Sequence, residues 1–328
     1  MSSDANIMTA KGIKGGEKIM AYKRKKSIWS ILWAQRVLIL MTFPLVIHRF
    51  IFSYLPLYGW TMAFQQYRPA IRSMWDQTWV GFDHFHMLLI GPLSERFSRA
   101  VINTLGQSAL MLFTGTIVTI ILSLLLNEMK QIGAKRIIQN ILYLPHFLSM
   151  VIIAGLAGRM VGLDGIVNQI LGIFGIEPIL FLGHAEYFWG LMAGINLWRT
   201  IGWGSIIYLA AMTGIDPSLY EAAEVDGANR YKKMWYITLP GIKSTIIILL
   251  IMNLGWILNA GFEIQWILGN GMNMARSEIL DIFILRFGIE QQNFGLATAA
   301  GILRTGVSIF MVLSANLIAK LMGQERLI

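Results

Sequence analysis

Two long apolar runs, near 187–211 and 241–262, are separated by a stretch that hydrocarbon could not accept: Asp216 to Pro240, DPSLYEAAEVDGANRYKKMWYITLP. Its charges must leave any apolar phase between the two runs. The runs therefore read as membrane spans rather than as core helices of a soluble domain. The stretch itself predicts two short helices joined by a turn. Asp216 can cap the first, Pro217 suits its first turn, and Gly227 supplies the left-handed residue that ends it. Asn229 can start the second helix, and Pro240 closes it off. On the first helix Leu219, Ala222 and Ala223 share a face, with Glu221 and Glu224 beside them. Adjacent alanines let another backbone come close, which makes this face a docking surface. The competing reading is an amphipathic helix lying on the membrane or on its own protein.

The rest of the chain agrees with a membrane setting. With 55% hydrophobic and 14% charged residues over 328 positions, it has too little polar surface for a soluble domain of this length. Six runs can each span about 30 Å of hydrocarbon as a helix. They lie near 37–58, 102–126, 137–160, 187–211, 241–262 and 297–319. The expected fold is thus an all-α integral membrane protein with six transmembrane helices in residues 37–328, preceded by a basic tail, 1–36. The first run is long and lacks a small-residue cleavage site, so it reads as a retained span rather than a signal peptide. It contains Pro44, His48 and Arg49, so its outer half should face protein or the interface.

Seventeen Lys and Arg fall in the tail, the 127–136 loop, the Asp216–Lys243 region and the C-terminal end, against six in the segments near 60–100, 161–186 and 263–296. By the positive-inside rule both termini and the Glu221 loop are cytoplasmic. The net charge of +9 is then a topology signal and not a nucleic-acid-binding face. The outer segments carry Tyr58, Trp60, Tyr67, Trp75, Trp79 and Trp266, as interface anchors or as contacts for a docked partner. Residues 262–292 are too polar to span and are expected to form an extracytoplasmic loop, with a short helix around Ser277–Phe287. The absence of cysteine excludes disulfides and thiolate zinc sites.

Glu221-Ala222-Ala223, three residues, Gly227, nine residues, then Ile237-x-Leu239-Pro240 resembles the EAA loop of ATP-binding-cassette (ABC) importer permeases at every defining position. The resemblance implies the type I importer transmembrane fold, with this loop as the coupling helix that seats in a cytoplasmic ATPase. Carried over, the coupling residues are Leu219, Glu221, Ala222, Ala223, Asp226, Gly227, Leu239 and Pro240. It also implies a second permease subunit, commonly in a heterodimer, two cytoplasmic ATPase subunits and an extracytoplasmic solute-binding protein, in a bacterial cytoplasmic membrane. Near the N-terminus, Tyr54-x-Pro56-x-Tyr58-Gly59, Ala63-Phe64, Tyr67 and Trp79-Val80-Gly81-x-x-x-Phe85 are similar to the opening of permeases that import oligosaccharides. These are in particular complex or uronic-acid-containing ones such as alginate or pectin fragments. The EAA loop alone equally allows a permease for a peptide or amino acid.

No G-x-x-x-x-G-K-[ST] loop is present, so ATP and Mg are expected on the partner ATPase, and this chain is not expected to be an enzyme or to hold a cofactor or metal. His84 and His86 have no H-E-x-x-H or carboxylate-rich context. Functional side chains are sought instead among polar groups inside the spans, which need a partner or a water-filled path. Asn196, Trp198, Arg199 and Trp203 cluster in the fourth run; Asn253, Trp256, Asn259 and Glu263 recur at helical spacing along the fifth. Amides and indoles suit sugar hydroxyls and apolar sugar faces, and Arg199 suits an acidic sugar. Alternatively the asparagines bond between helices and the tryptophans pack, Gly190 and Gly194 marking close helix contacts in the fourth run. Arg304 can pair with Glu263 or with an acid of a partner subunit. An ion-coupled secondary transporter would need membrane-embedded acids, which the runs nearly lack, Glu263 lying at an edge. A membrane transferase would need clustered carboxylates or histidines.

Overall fold

The computed structural model describes residues 33–71, 73–255 and 261–321. Most of the predicted basic tail lies outside these residues, as do Trp256 and Asn259. The chain divides into a unit ending at Gly59 and a second beginning at Trp60. In the first, helix α1 (Arg36–Arg49) contains Pro44 and widens into a π turn at Phe50–Tyr54 before tightening into 3-10 turns over Leu55–Phe64. Arg49 is satisfied inside the π turn by donating to Ser53 Oγ at 3.3 Å.

In the second unit a two-residue antiparallel ladder, β1 (Gln65–Gln66) with β2 (Thr78–Trp79), leads into α2 (Asp83–Leu89). The helices that follow are α3 (Ser94–Asn127), α4 (Ile132–Tyr143), α5 (Met150–Met160), α6 (Ile166–Ile173) and α7 (Ala185–Met212). Then come α8 (Pro217–Val225), α9 (Arg230–Lys233), α10 (Lys243–Gly255), three short helices α11 (Phe262–Leu268), α12 (Met274–Ser277) and α13 (Leu280–Leu285), and α14 (Phe294–Leu321).

Six continuous spans were expected; the length and composition of helices among the described residues do not by themselves confirm that number. Three helices are long and apolar enough to cross a membrane: Arg36–Phe64, α3 and α14. The count reaches five if two bent pairs each act as one span: Ile132–Phe147 with α5, bent by 107°, and Arg230–Gly241 with α10, bent by 58°. The first break has a local cause. Pro145 cannot donate to the helix ladder, the chain tightens over Leu144–Phe147, and Ser149 recaps α5 by accepting from the Ile152 N–H at 3.3 Å. α7, the expected fourth span, has 28 residues and so reaches about 42 Å. Glu186, Asn196 and Arg199 dilute its apolar run.

α3 and α7 form a close-packed pair because glycines remove side chains where they meet. A Cβ on Gly106 would come within 2.5 Å of the Trp189 ring, one on Gly204 within 3.2 Å of Thr119, and one on Gly202 within 2.1 Å of the Leu142 carbonyl on α4. Gly190 and Gly194, expected to mark close contacts, have open space beside them. Three apolar clusters surround this pair, around Phe97, Phe283 and Leu296, around Ile153, Phe188 and Leu268, and around Tyr208, Met212 and Ile242.

The short helix expected around Ser277–Phe287 is present as α13, which runs on into a π turn at Arg286–Glu290, and α11 and α12 precede it. Polar residues of α3 pin it. Asn103 Nδ2 donates to the carbonyls of Ala275 and Glu278 at 3.0 Å, and Thr104 Oγ1 accepts from the Leu280 N–H at 2.9 Å. Arg96 grips the buried Glu278 carboxylate through Nε and Nη2 at 2.7 and 2.6 Å, and Arg286 joins at 3.1 Å. Arg304 pairs with Asp281 of this segment at 3.1 Å, as α13 lies against α14.

Candidate functional site

The polar interruption folds locally as its residues dictate. The Asp216 carboxylate accepts from the Ser218 N–H at 2.9 Å, Pro217 opens α8, and Gly227 turns the chain with φ of 70°. The turn closes on itself, the Ala228 N–H donating to the Ala223 carbonyl at 2.8 Å and the Gly227 N–H to Glu224 at 3.1 Å. This satisfies carbonyls that the helix end would otherwise leave bare. Asn229 caps α9 by accepting from the Lys232 N–H at 2.9 Å. Pro240 lies in the last turn of the second helix, Leu239–Gly241, behind a widened π turn at Met234–Thr238. A Cβ on Gly241 would come within 2.7 Å of Ile215 Cδ1, so the chain passes close to Ile215 where it bends by 58°.

α8 is solvent-facing. Leu219 and Val225 are 52% and 89% exposed, Glu221, Ala222, Asp226 and Gly227 are exposed, and Ala223 is half-buried. Yet the helix is held firmly from below. Tyr220 Oη meets the fully buried Thr238 Oγ1 at 2.9 Å, and Glu224 forms an ion pair with Lys233. Leu239 is half-buried and Pro240 exposed. Sequence reasoning passed over Tyr220 and Thr238. Each occupies an unconstrained position of the motif, and only their converging hydroxyls mark them. The hydrogen bond and charge of Lys233 hold the Glu224 carboxyl below the usual glutamate range, and the Ser218 N–H does the same for Asp216.

The fourth- and fifth-run candidates separate into two places. Asn196, Arg199 and Trp203 of α7, Asn253 of α10 and Glu263 of α11 line one cavity of about 760 Å³, together with Ser108, Thr116 and Thr119 of α3 and with Asp281. Trp198 does not line it, since one residue around a helix turns a side chain by about 100°. It borders a separate, mainly apolar groove of about 470 Å³ with Gly190, Gly194 and Tyr187. Trp203 stacks flat on His146, ring centroids 4.6 Å apart and planes 1° from parallel. Among the described residues the side chains of Asn196 and Asn253 make no hydrogen bond, and the buried Arg199 Nε has no acceptor. Among the described residues, then, no interhelical bond involves either asparagine side chain. His84 is a packing residue: it is buried, its Nε2 lies 3.1 Å from the Gln65 carbonyl, and only a glycine at 295 leaves room for its ring.

A family profile described as binding-protein-dependent transport system inner membrane component matches residues 115–324. The polygalacturonan/rhamnogalacturonan transport system permease protein YteP of Bacillus subtilis is 40% identical over 92% of this chain and 93% of its own length. Protein LplB of the same organism is 38% identical over 99% and 97%. A chain in the crystal structure of a bacterial alginate ABC transporter, in complex with alginate pentasaccharide-bound periplasmic protein, superposes with a TM-score of 0.82 at 37% identity. That match covers 92% of this chain and 100% of that one. A second alginate importer structure gives 0.81 at 38%. Fold, loop geometry and relatives agree: the chain belongs to the family of binding-protein-dependent inner-membrane permeases of ABC importers.

Proposed function

We propose that this chain is one transmembrane subunit of an ATP-driven importer that moves an oligosaccharide across a bacterial cytoplasmic membrane. In this reading residues 37–328 form the permease domain and 1–36 a basic cytoplasmic tail, with both termini and α8 on the ATP side. A second, different permease completes the pore, two ATPase subunits carry ATP and Mg, and an extracytoplasmic binding protein delivers the sugar. The carrying observation is α8: exposed on the face that bears Leu219, Glu221 and Ala222, and tied through Tyr220 and Glu224 to the segment entering the next span. The carbohydrate assignment draws on relatives named for polygalacturonan/rhamnogalacturonan and alginate transport.

Coupling requires that the two pore states differ in affinity for the ATP-bound ATPase dimer. A helix seated in the ATPase and anchored to α10 through its leading segment transmits that difference; a floppy loop would absorb it. Closure of the ATPase dimer then carries the two coupling helices together and opens the cavity outward. The test is ATP-dependent sugar uptake by the reconstituted complex with Glu221→Lys or Gly227→Pro. The first reverses a charge on the docking face, and the second cannot adopt φ of 70°. Both chains should insert normally and transport nothing; uptake persisting in both would overturn the assignment.

A further inference from the structure

We propose that Arg199 is the specificity-determining residue of the cavity, and that it reads a carboxylate on the transported sugar, so that the importer favours uronate-containing oligosaccharides over neutral ones. The inference rests on the importer reading above and deepens it.

Arg199 lies between Asn196 and Trp203 on the cavity face of α7. Its Nε is buried and has no hydrogen-bond acceptor among the described residues, and no carboxylate there lies within 4.0 Å of its guanidinium. A half-buried guanidinium with an open donor edge is costly to maintain. A ligand carboxylate relieves that cost, because its two oxygens match the Nε–H and Nη–H fork.

The other charges of the cavity leave that fork available. Asp281 is engaged by Arg304 at 3.1 Å. Glu263 attracts Arg199 through space without an ion-pair contact, so it weakens the pull on an incoming anion without filling the site. Among the described residues that line the cavity there is no lysine and no second arginine, which leaves Arg199 as their cationic group. Asn196 and Asn253, whose amides make no hydrogen bond among the described residues, and the face of Trp203 line the cavity with it. Hydroxyl partners, an aromatic platform and one carboxylate fork together fit an acidic sugar better than an acidic peptide, which would need contacts for its backbone.

The experiment uses the complete transporter in proteoliposomes with saturating binding protein. Whichever of a galacturonate or mannuronate trisaccharide is imported is compared with its methyl ester, and the ratio of initial uptake rates, acid over ester, is measured. The binding protein's own preference is common to every permease variant and cancels between them. In Arg199→Gln the ratio should fall about tenfold, the size expected for a lost charge-assisted pair. Arg199→Lys, which keeps the charge but not the fork, should fall between. If Arg199→Gln does not assemble, Arg199→Lys decides. An unchanged ratio overturns the proposal, as does a wild-type complex that imports neutral trisaccharides and no uronate. A complex with no ATP-dependent import of any sugar would instead overturn the importer reading itself.

Discussion

The hydroxyl of Tyr220 lies 2.9 Å from that of Thr238, joining the exposed helix Pro217–Val225 to the segment that enters the next span. Thr238 has no exposed surface, so this bond is shielded from competing water, and it sits one residue from Glu221.

Removing that bond should loosen coupling without unfolding the chain. Tyr220→Phe loses about 1 kcal/mol of net bonding, and sugar imported per ATP hydrolysed should fall by up to about fivefold. Thr238→Ser keeps the hydroxyl and should behave as wild type. Uptake and phosphate release measured on the same vesicles separate the two outcomes.

The Glu224–Lys233 pair predicts an acid limit. Lys233 depresses the Glu224 value in the folded chain, so the pair's contribution is fully present above the ordinary glutamate value, about 4.3, and is lost as pH falls through the lower folded value. Amide exchange of α8, corrected for intrinsic rates, should be constant from neutrality down to about pH 5 and rise only below about pH 4. Glu224→Gln should show the faster exchange at neutral pH.

Two glycines of α7 should respond oppositely to a single methyl group. Gly202→Ala drives a Cβ to 2.1 Å from the Leu142 carbonyl, a backbone atom that cannot swing aside, and should cost at least about 1–3 kcal/mol. Gly190→Ala meets open space. Thermal denaturation in detergent should show a clear loss for the first and none for the second.

Glu278 is 5% exposed at its side chain and faces both Arg96 and Arg286. Glu278→Gln leaves two guanidinium groups against a neutral amide, and breaking such a buried pair costs about 3–5 kcal/mol. The variant should lose order in the segment from α12 to α13, seen as protease cleavage there, while α8 stays intact.

Local chemistry made the loop from Asp216 to Pro240 legible. Asp216, Pro217, Gly227 and Asn229 act through their own backbones, so their roles can be read from position alone. The cavity was half legible: Asn196, Arg199 and Trp203 stood out as polar or amphipathic groups in an apolar run, but Trp198 looked equivalent until the helix phase set it on another face. Asp281 was hidden because it lies in a short helix whose placement depends on Asn103, Thr104 and Arg96, far away in sequence. The broken third run was missed because its hydropathy continues across Pro145. The glycine contacts were assigned to Gly190 and Gly194 rather than to Gly106 and Gly202, because spacing cannot say which side of a helix finds a neighbour.

The absence of cysteine allows the most direct test of the central claim, that α8 is the cytoplasmic seat of an ATPase. Ala223→Cys gives the chain a single thiol on that helix. In membranes of active cells a bifunctional maleimide should link it to a nucleotide-hydrolysing subunit, and a membrane-impermeant maleimide should reach it only from the cytoplasmic side. Labelling from the outer side, or no ATPase captured by a chain that still imports sugar, would contradict the account.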